Sequence, residues 1–157
     1  MTIYTVAEAV KTIAEAIGAV TVSANESYTF HGADPLPPKI DTAEMPLVYT
    51  LTGPATDSSA AGEDMDLETR TYYVQCAVLK VGQGTPDERE TRGRPLLIAL
   101  KYALKAHPHL GAAYVERATV MGDSGITVLN EYGGLNIGFQ ITLSVLERVP
   151  RLYADDE

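Results

Sequence analysis

The stretch LNIGFQITLSVLE, residues 135–147, decides how this chain has to fold. Leu135, Ile137, Phe139, Ile141, Leu143 and Val145 alternate with Asn136, Gly138, Gln140, Thr142 and Ser144. Successive side chains of a β-strand point to opposite faces, so this period of two predicts a strand with one apolar and one polar face. At about 3.3 Å per residue the strand runs roughly 40 Å. A domain of this length has a radius of gyration of about 15 Å, so the strand crosses nearly all of it. The rest of the chain must supply a cover for its apolar side.

Two helical stripes can supply that cover. Thr5-Val6-Ala7-Glu8 reads as a capping box. Val6, Val10, Ile13 and Ile17 then follow at helical spacing, and Gly18 ends the helix. Glu8, Lys11 and Glu15 lie off this stripe and are expected to be solvated. Thr85-Pro86-Asp87-Glu88 opens a second helix, with Thr as the cap and Pro at the first helical position. Its stripe is Leu96, Leu97, Leu100 and Leu104, and His107-Pro108 ends it. This leucine stripe is expected to lie on the apolar face of the last strand.

The remaining elements read as strands and connections. Residues 20–23 and 27–30 are short β-like pieces around Asn25. Residues 47–53 (LVYTLTG) form a strand closed by Gly53-Pro54. Residues 69–81 (TRTYYVQCAVLKV) place Tyr72, Val74, Cys76 and Val78 on one face and Tyr73, Gln75, Ala77 and Leu79 on the other. Bulk on both faces marks a central strand. Residues 113–121 and 126–130 are expected to form a hairpin about Asp123-Ser124-Gly125. Residues 31–45, with Pro35, Pro37 and Pro38, read as a surface loop. Residues 54–68 (PATDSSAAGEDMDLE) read as a long acidic loop, and residues 150–157 as a polar tail. The expected fold is a single α+β domain with its core at about residues 5–149, a mostly antiparallel sheet with two helices packed on one face.

Composition narrows the function. The 157 residues suit one domain. A net charge of −9 argues against a specific nucleic-acid binder, which needs a basic surface. The single cysteine, Cys76, excludes an internal disulfide and fits a cytosolic setting. The start, MTIYTVAEAV, lacks the basic and apolar regions of a signal peptide, and no apolar run is long enough to span a membrane.

No stretch announces a chemistry. His107 and His109 sit two apart beside a proline, with His31 far off, which is too few ligands for zinc. Cys76 falls on an apolar strand face with no base beside it, so packing is expected. Ser58, Ser59 and Ser124 lack a nucleophile elbow. Gly82-Gln83-Gly84 precedes a helix but lacks the rest of a phosphate loop, and Asp87 and Glu88 would repel a phosphate. No cofactor is expected. Asp57, Glu63, Asp64, Asp66 and Glu68 lack calcium-loop spacing. They form either a solvated loop or a surface that meets a partner. Arg89, Arg92 and Arg94 open the second helix against its dipole. They are either solvated or paired with acids of another chain.

In order and spacing, residues 5–149 resemble the tail-terminator or tail-completion proteins of long-tailed bacteriophages of the lambda type. The matching features are the capped first helix and the proline-bearing lead Met45-Pro46-Leu47-Val48-Tyr49. The long loop at 54–68, the long strand at 69–81, the crossing helix at 86–106, the hairpin that follows it and the final alternating strand also match. The resemblance implies an α+β subunit that forms a ring, usually a hexamer. Such a ring caps the tail tube, stops its growth and offers a surface to the head connector. It implies a virion protein made in the host cytoplasm, with no enzymatic role and no cofactor. The implied partners are further copies of the chain, the tail tube protein and a head-completion protein. A head-closure or neck connector remains open. So does a small α+β ligand-binding domain whose pocket would use Tyr73, Gln140, Thr142 and Ser144.

Overall fold

The computed structural model describes Ile3, residues 5–60 and residues 65–150, with the backbone alone at 57–60, 65 and 150. In chain order the elements are α1 (Val6–Glu15), β1 (Ala19–Ser23), β2 (Glu26–Thr29), β3 (His31–Gly32), a 3-10 turn (Thr42–Glu44), β4 (Leu47–Ala60) and β5 (Met65–Lys80). Then come α2 (Pro86–Lys105), β6 (Val115–Asp123), β7 (Thr127–Leu129), a second 3-10 turn (Tyr132–Gly134) and β8 (Asn136–Pro150). β1 and β2 make a separate antiparallel hairpin. The main sheet runs β3-β4-β5-β8-β6, with β7 also on β8. Among the described strands the short β3–β4 pair alone is parallel, and an isolated parallel bridge joins Ile3 to Ala112.

The alternating stretch is β8, and its apolar face is the centre of the molecule. Ile137, Phe139, Ile141, Leu143 and Val145 are all buried. They share one cluster with Val48 of β4, with Val74, Cys76 and Val78 of β5, and with both helices. α1 begins where expected because the Thr5 hydroxyl accepts the Glu8 N–H at 3.1 Å, and Val6, Val10 and Ile13 are buried. α2 begins in the same way, with Thr85 accepting the Glu88 N–H at 3.2 Å. Leu96, Leu97, Leu100 and Leu104 point into the cluster. The fold is α+β, a mostly antiparallel curled sheet with helices against it.

Several local expectations are corrected. Leu135 keeps the phase of the strand but ends the 3-10 turn before it, and it is 62% exposed. Residues 54–60 and 65–68 are not a loop. They continue β4 and β5 in antiparallel register, Thr56 opposite Thr69 and Asp57 opposite Glu68. Backbone pairing does not need apolar side chains, and β5 is held from its other side by β8 as far as Pro150. The expected hairpin at 113–130 is a broken edge strand. β6 pairs with the second half of β8 and β7 with its start, both antiparallel. At the break the Ser124 hydroxyl accepts the Gln140 N–H at 2.9 Å, and the Ser124 N–H donates to the Gln140 carbonyl at 2.9 Å. A register shift after Ala77 turns Leu79 towards the helices.

Among the described residues, the second face of the sheet is covered at one end. Ile40, Leu47, Tyr49, Ala77 and Leu129 form a small cluster there. The proline-rich segment lies over it, tied by the Tyr132 hydroxyl to the Pro37 carbonyl at 2.6 Å. The segment read as a surface loop therefore contributes a buried residue, Ile40.

Candidate interaction site

The two charged groups singled out in the sequence lie at opposite ends of β8. Asp57, Asp66 and Glu68 sit on the paired ends of β4 and β5, where Glu68 faces Glu147 and Asp66 faces Val149. Glu63 and Asp64 lie outside the described residues. The arginines begin α2, where Arg89 shares a cavity with Thr127 of β7 and Ile137 of β8. Val149 is twelve residues beyond Ile137, roughly 40 Å along an extended strand.

Glu68, Asp66 and Arg92 are among the charges that already have interaction partners. Glu68 accepts from Arg70 Nη2 at 2.6 Å and from Nε at 3.0 Å, and Arg70 Nη1 donates to the Gly53 carbonyl at 2.9 Å. Arg92 lies 3.7 Å from the Glu26 carboxylate and 5.0 Å from the centre of the Tyr28 ring. None of these is the uncommitted charge that the sequence suggests. Arg94 is exposed and borders a groove of about 620 Å³ between α2 and β1, with Asp87, Glu90 and Ile98.

Arg89 differs from both. Its Nε is buried and has no hydrogen-bond acceptor among the described residues. The cavity it lines is about 340 Å³ and is walled by Pro86, Ile126, Thr127, Val128 and Ile137. A positively charged donor thus borders an open recess of mixed polar and apolar lining, with Glu90 also on its wall. The sequence marked Arg89 only as one of three. What singles it out is the edge strand folding back beside α2, which no local pattern foretells.

Two polar groupings were not foreseen. On the second sheet face Tyr49, Gln75 and Gln140 stand side by side in register. The Tyr49 hydroxyl donates to Gln75 Oε1 at 2.8 Å, and Gln75 Nε2 donates to Gln140 Oε1 at 2.9 Å and to Glu131 Oε2 at 3.2 Å. Burial pushes the Tyr49 phenol well above its ordinary range. Beside the start of α1, a recess of about 500 Å³ holds Tyr72, Tyr114, Asp34 and Glu147. The Tyr72 hydroxyl donates to Glu147, and its phenol is raised by burial first and by that hydrogen bond second.

The other sequence candidates are tied into the fold. Cys76 is fully buried, and burial raises its thiol. His107 Nδ1 contacts the Ala103 carbonyl and His109 Nδ1 the Glu116 carbonyl, each at 2.8 Å. Ser124 serves the β8 ladder. Among the described residues no group of three His, Cys, Asp or Glu side chains is placed to hold a metal ion. No helix there is long and apolar enough to cross a membrane. What this arrangement can do chemically is bind through ion pairs and hydrogen bonds. The sequence matches no protein-family model and no curated protein.

Proposed function

We propose that this chain is the structural subunit of a ring that caps the tail tube of a long-tailed bacteriophage and joins it to the head connector. The observation that carries this reading is the arm made by the far ends of β4, β5 and β8. Beyond Gly53 on β4 and before Thr71 on β5, no described residue belongs to either apolar cluster. The strands nevertheless stay paired to Ala60, Asp66 and Pro150. Strands that project past their own core contribute little to the monomer, and their length suits contact with something outside it. The acidic character of the arm also suits a channel that DNA must pass without sticking. The two capped helices, the long β5 and the final β8 support the resemblance to tail terminators, whereas its loop at 54–68 and its hairpin at 113–130 are replaced by strands of the main sheet.

The test is electron microscopy of the purified protein alone and mixed with assembled tail tubes. The expected result is closed rings, and a ring seated on one end of each tube. Monomers that leave tube ends bare would refute the reading. Rings that bind head connectors but never tubes would reassign the chain to head closure.

A further inference from the structure

We propose that the recess beside Arg89 is a binding site for a monocarboxylate with a short aliphatic body. Such a site would exist whether or not the chain builds a ring. Three parts of the fold make it. The first turn of α2 brings Pro86, Arg89 and Glu90, the edge brings Ile126 and Thr127, and β8 brings Ile137. One wall is set by a close approach. Gly93 lies one turn beyond Arg89, and a Cβ there would stand 2.7 Å from Ile126 Cδ1. Its lack of a side chain lets Ile126 sit against the helix, where it packs on the main apolar cluster.

The donor selects the head of the ligand. Native folds rarely leave a buried donor without an acceptor, yet Arg89 Nε has none among the described residues. A guanidinium is always charged, and its planar fork of N–H groups matches the two oxygens of a carboxylate. Thr127, on the same wall, carries a hydroxyl that can also donate. Glu90 limits the charge. It shares the recess without accepting from Nε. A second negative charge, as on a dicarboxylate or a phosphate dianion, would be repelled by it. The rest of the wall selects the body. Pro86, Ile126 and Ile137 offer no side-chain polar group, so hydrocarbon suits them. The volume, about 340 Å³, lies at the small end for ligand pockets. A small acid with a branched tail, such as isovalerate, has the required chemistry.

The experiment titrates the full chain and follows the side-chain Nε–H signal of Arg89 by proton–nitrogen correlation spectroscopy, the signal being identified by its loss in Arg89→Lys. Isovalerate is expected to move it saturably. Isovaleramide, the same shape without the charge, should bind at least about tenfold more weakly, because a charge-assisted hydrogen bond is lost. Acetate should also bind more weakly, by about fourfold for each methylene it lacks. Arg89→Gln should abolish binding, read from backbone signals around Ile126, while its melting temperature stays level, since Nε has no acceptor in the chain. N-acetylleucine imitates the end of a polypeptide. Tighter binding than isovalerate would assign the site to a chain terminus, and equal or weaker binding to a free acid; both keep the carboxylate site. An Arg89 signal that does not move, or an amide that binds as well as the acid, would overturn it. Inorganic phosphate competing on equal terms would overturn it as well, by showing that the recess reads charge alone. So would a sharp fall in the melting temperature of Arg89→Gln, which would show that Arg89 serves its own fold.

Discussion

Gln75 donates to Gln140 across the β5–β8 ladder at 2.9 Å, and its carbonyl oxygen accepts the Tyr49 hydroxyl at 2.8 Å from the other side. One amide therefore satisfies polar groups on two neighbouring strands, and it is only 3% exposed. Gln75→Leu keeps the bulk but strands the buried Tyr49 hydroxyl. The expected loss is about 1–3 kcal/mol in a urea titration. Adding Tyr49→Phe should recover part of it, because the orphaned hydroxyl goes too. Strict additivity in this double-mutant cycle would show that the two side chains do not act as a unit.

Gly138 is fixed by its neighbour's backbone. A Cβ there would stand 1.7 Å from the Cys76 carbonyl oxygen, whereas one at Gly122 would meet nothing within 4 Å. A central strand cannot move aside as a flexible side-chain end can. Gly138→Ala is expected to lose more than about 3 kcal/mol, beyond ordinary overpacking. Gly122→Ala should stay within about 0.5 kcal/mol of wild type. Comparable denaturation midpoints for the two variants would contradict the close approach.

Removing the arm should spare the fold. Thr56 and Thr69 face each other directly, so residues 57–68 can be replaced by Asn-Gly, the pair that suits a two-residue hairpin turn. The change sacrifices the partly exposed Glu68–Arg70 pair and no described member of an apolar cluster. The melting temperature is expected to fall by only a few degrees. Tails complemented with this variant should be overlong or headless. Full infectivity would mean that the arm serves neither the tube nor a neighbouring copy.

Asp123 links the edge strand to α2. Lys101 Nζ lies 2.6 Å from its carboxylate, and the Gly125 N–H donates to it at 2.8 Å. The Lys101 hydrogen bond and then the Gly125 bond hold its carboxyl below the ordinary range. A depressed folded pKa contributes stability that is present above the unfolded value, about 3.9. That stability is lost as pH falls through the folded value. Asp123→Asn should therefore be less stable than wild type near neutrality, and the gap should close in strong acid. Both groups are partly exposed, so salt should also narrow it. A gap that persists at about pH 2 would mean that the effect is not ionic.

How much could be read in advance differs from residue to residue. Phe139, Ile141 and Leu143 were legible because alternation is a local property and one apolar face dictates burial. Thr5 and Thr85 were legible because a cap is satisfied within its own first turn. Leu135 misleads because periodicity marks phase and not the point where pairing begins. Residues 54–60 mislead because Pro, Asp and Ser suit turns, while the ladder that straightens them comes from β5. Asp123-Ser124-Gly125 has turn chemistry and does change direction, with Gly125 at φ 67°. Whether such a change reverses a strand or only breaks it depends on β8, distant in sequence. Arg89 was visible as a charge, but its missing acceptor is a fact of tertiary placement alone.

The broken edge has one further consequence. The outer side of β6 is occupied where the Ala118 N–H reaches the Pro108 carbonyl and the Glu116 carbonyl meets His109. Beyond that, the kink at Ser124 spoils the line. At the opposite edge β3 covers Leu47 and Val48, and Pro54 offers no N–H. Neither margin gives an incoming strand a long template, so amyloid-like stacking is discouraged at both. Contacts made at these two margins would therefore rest on side chains, whose fit can be selective, instead of on added strand pairing, which is indifferent to sequence.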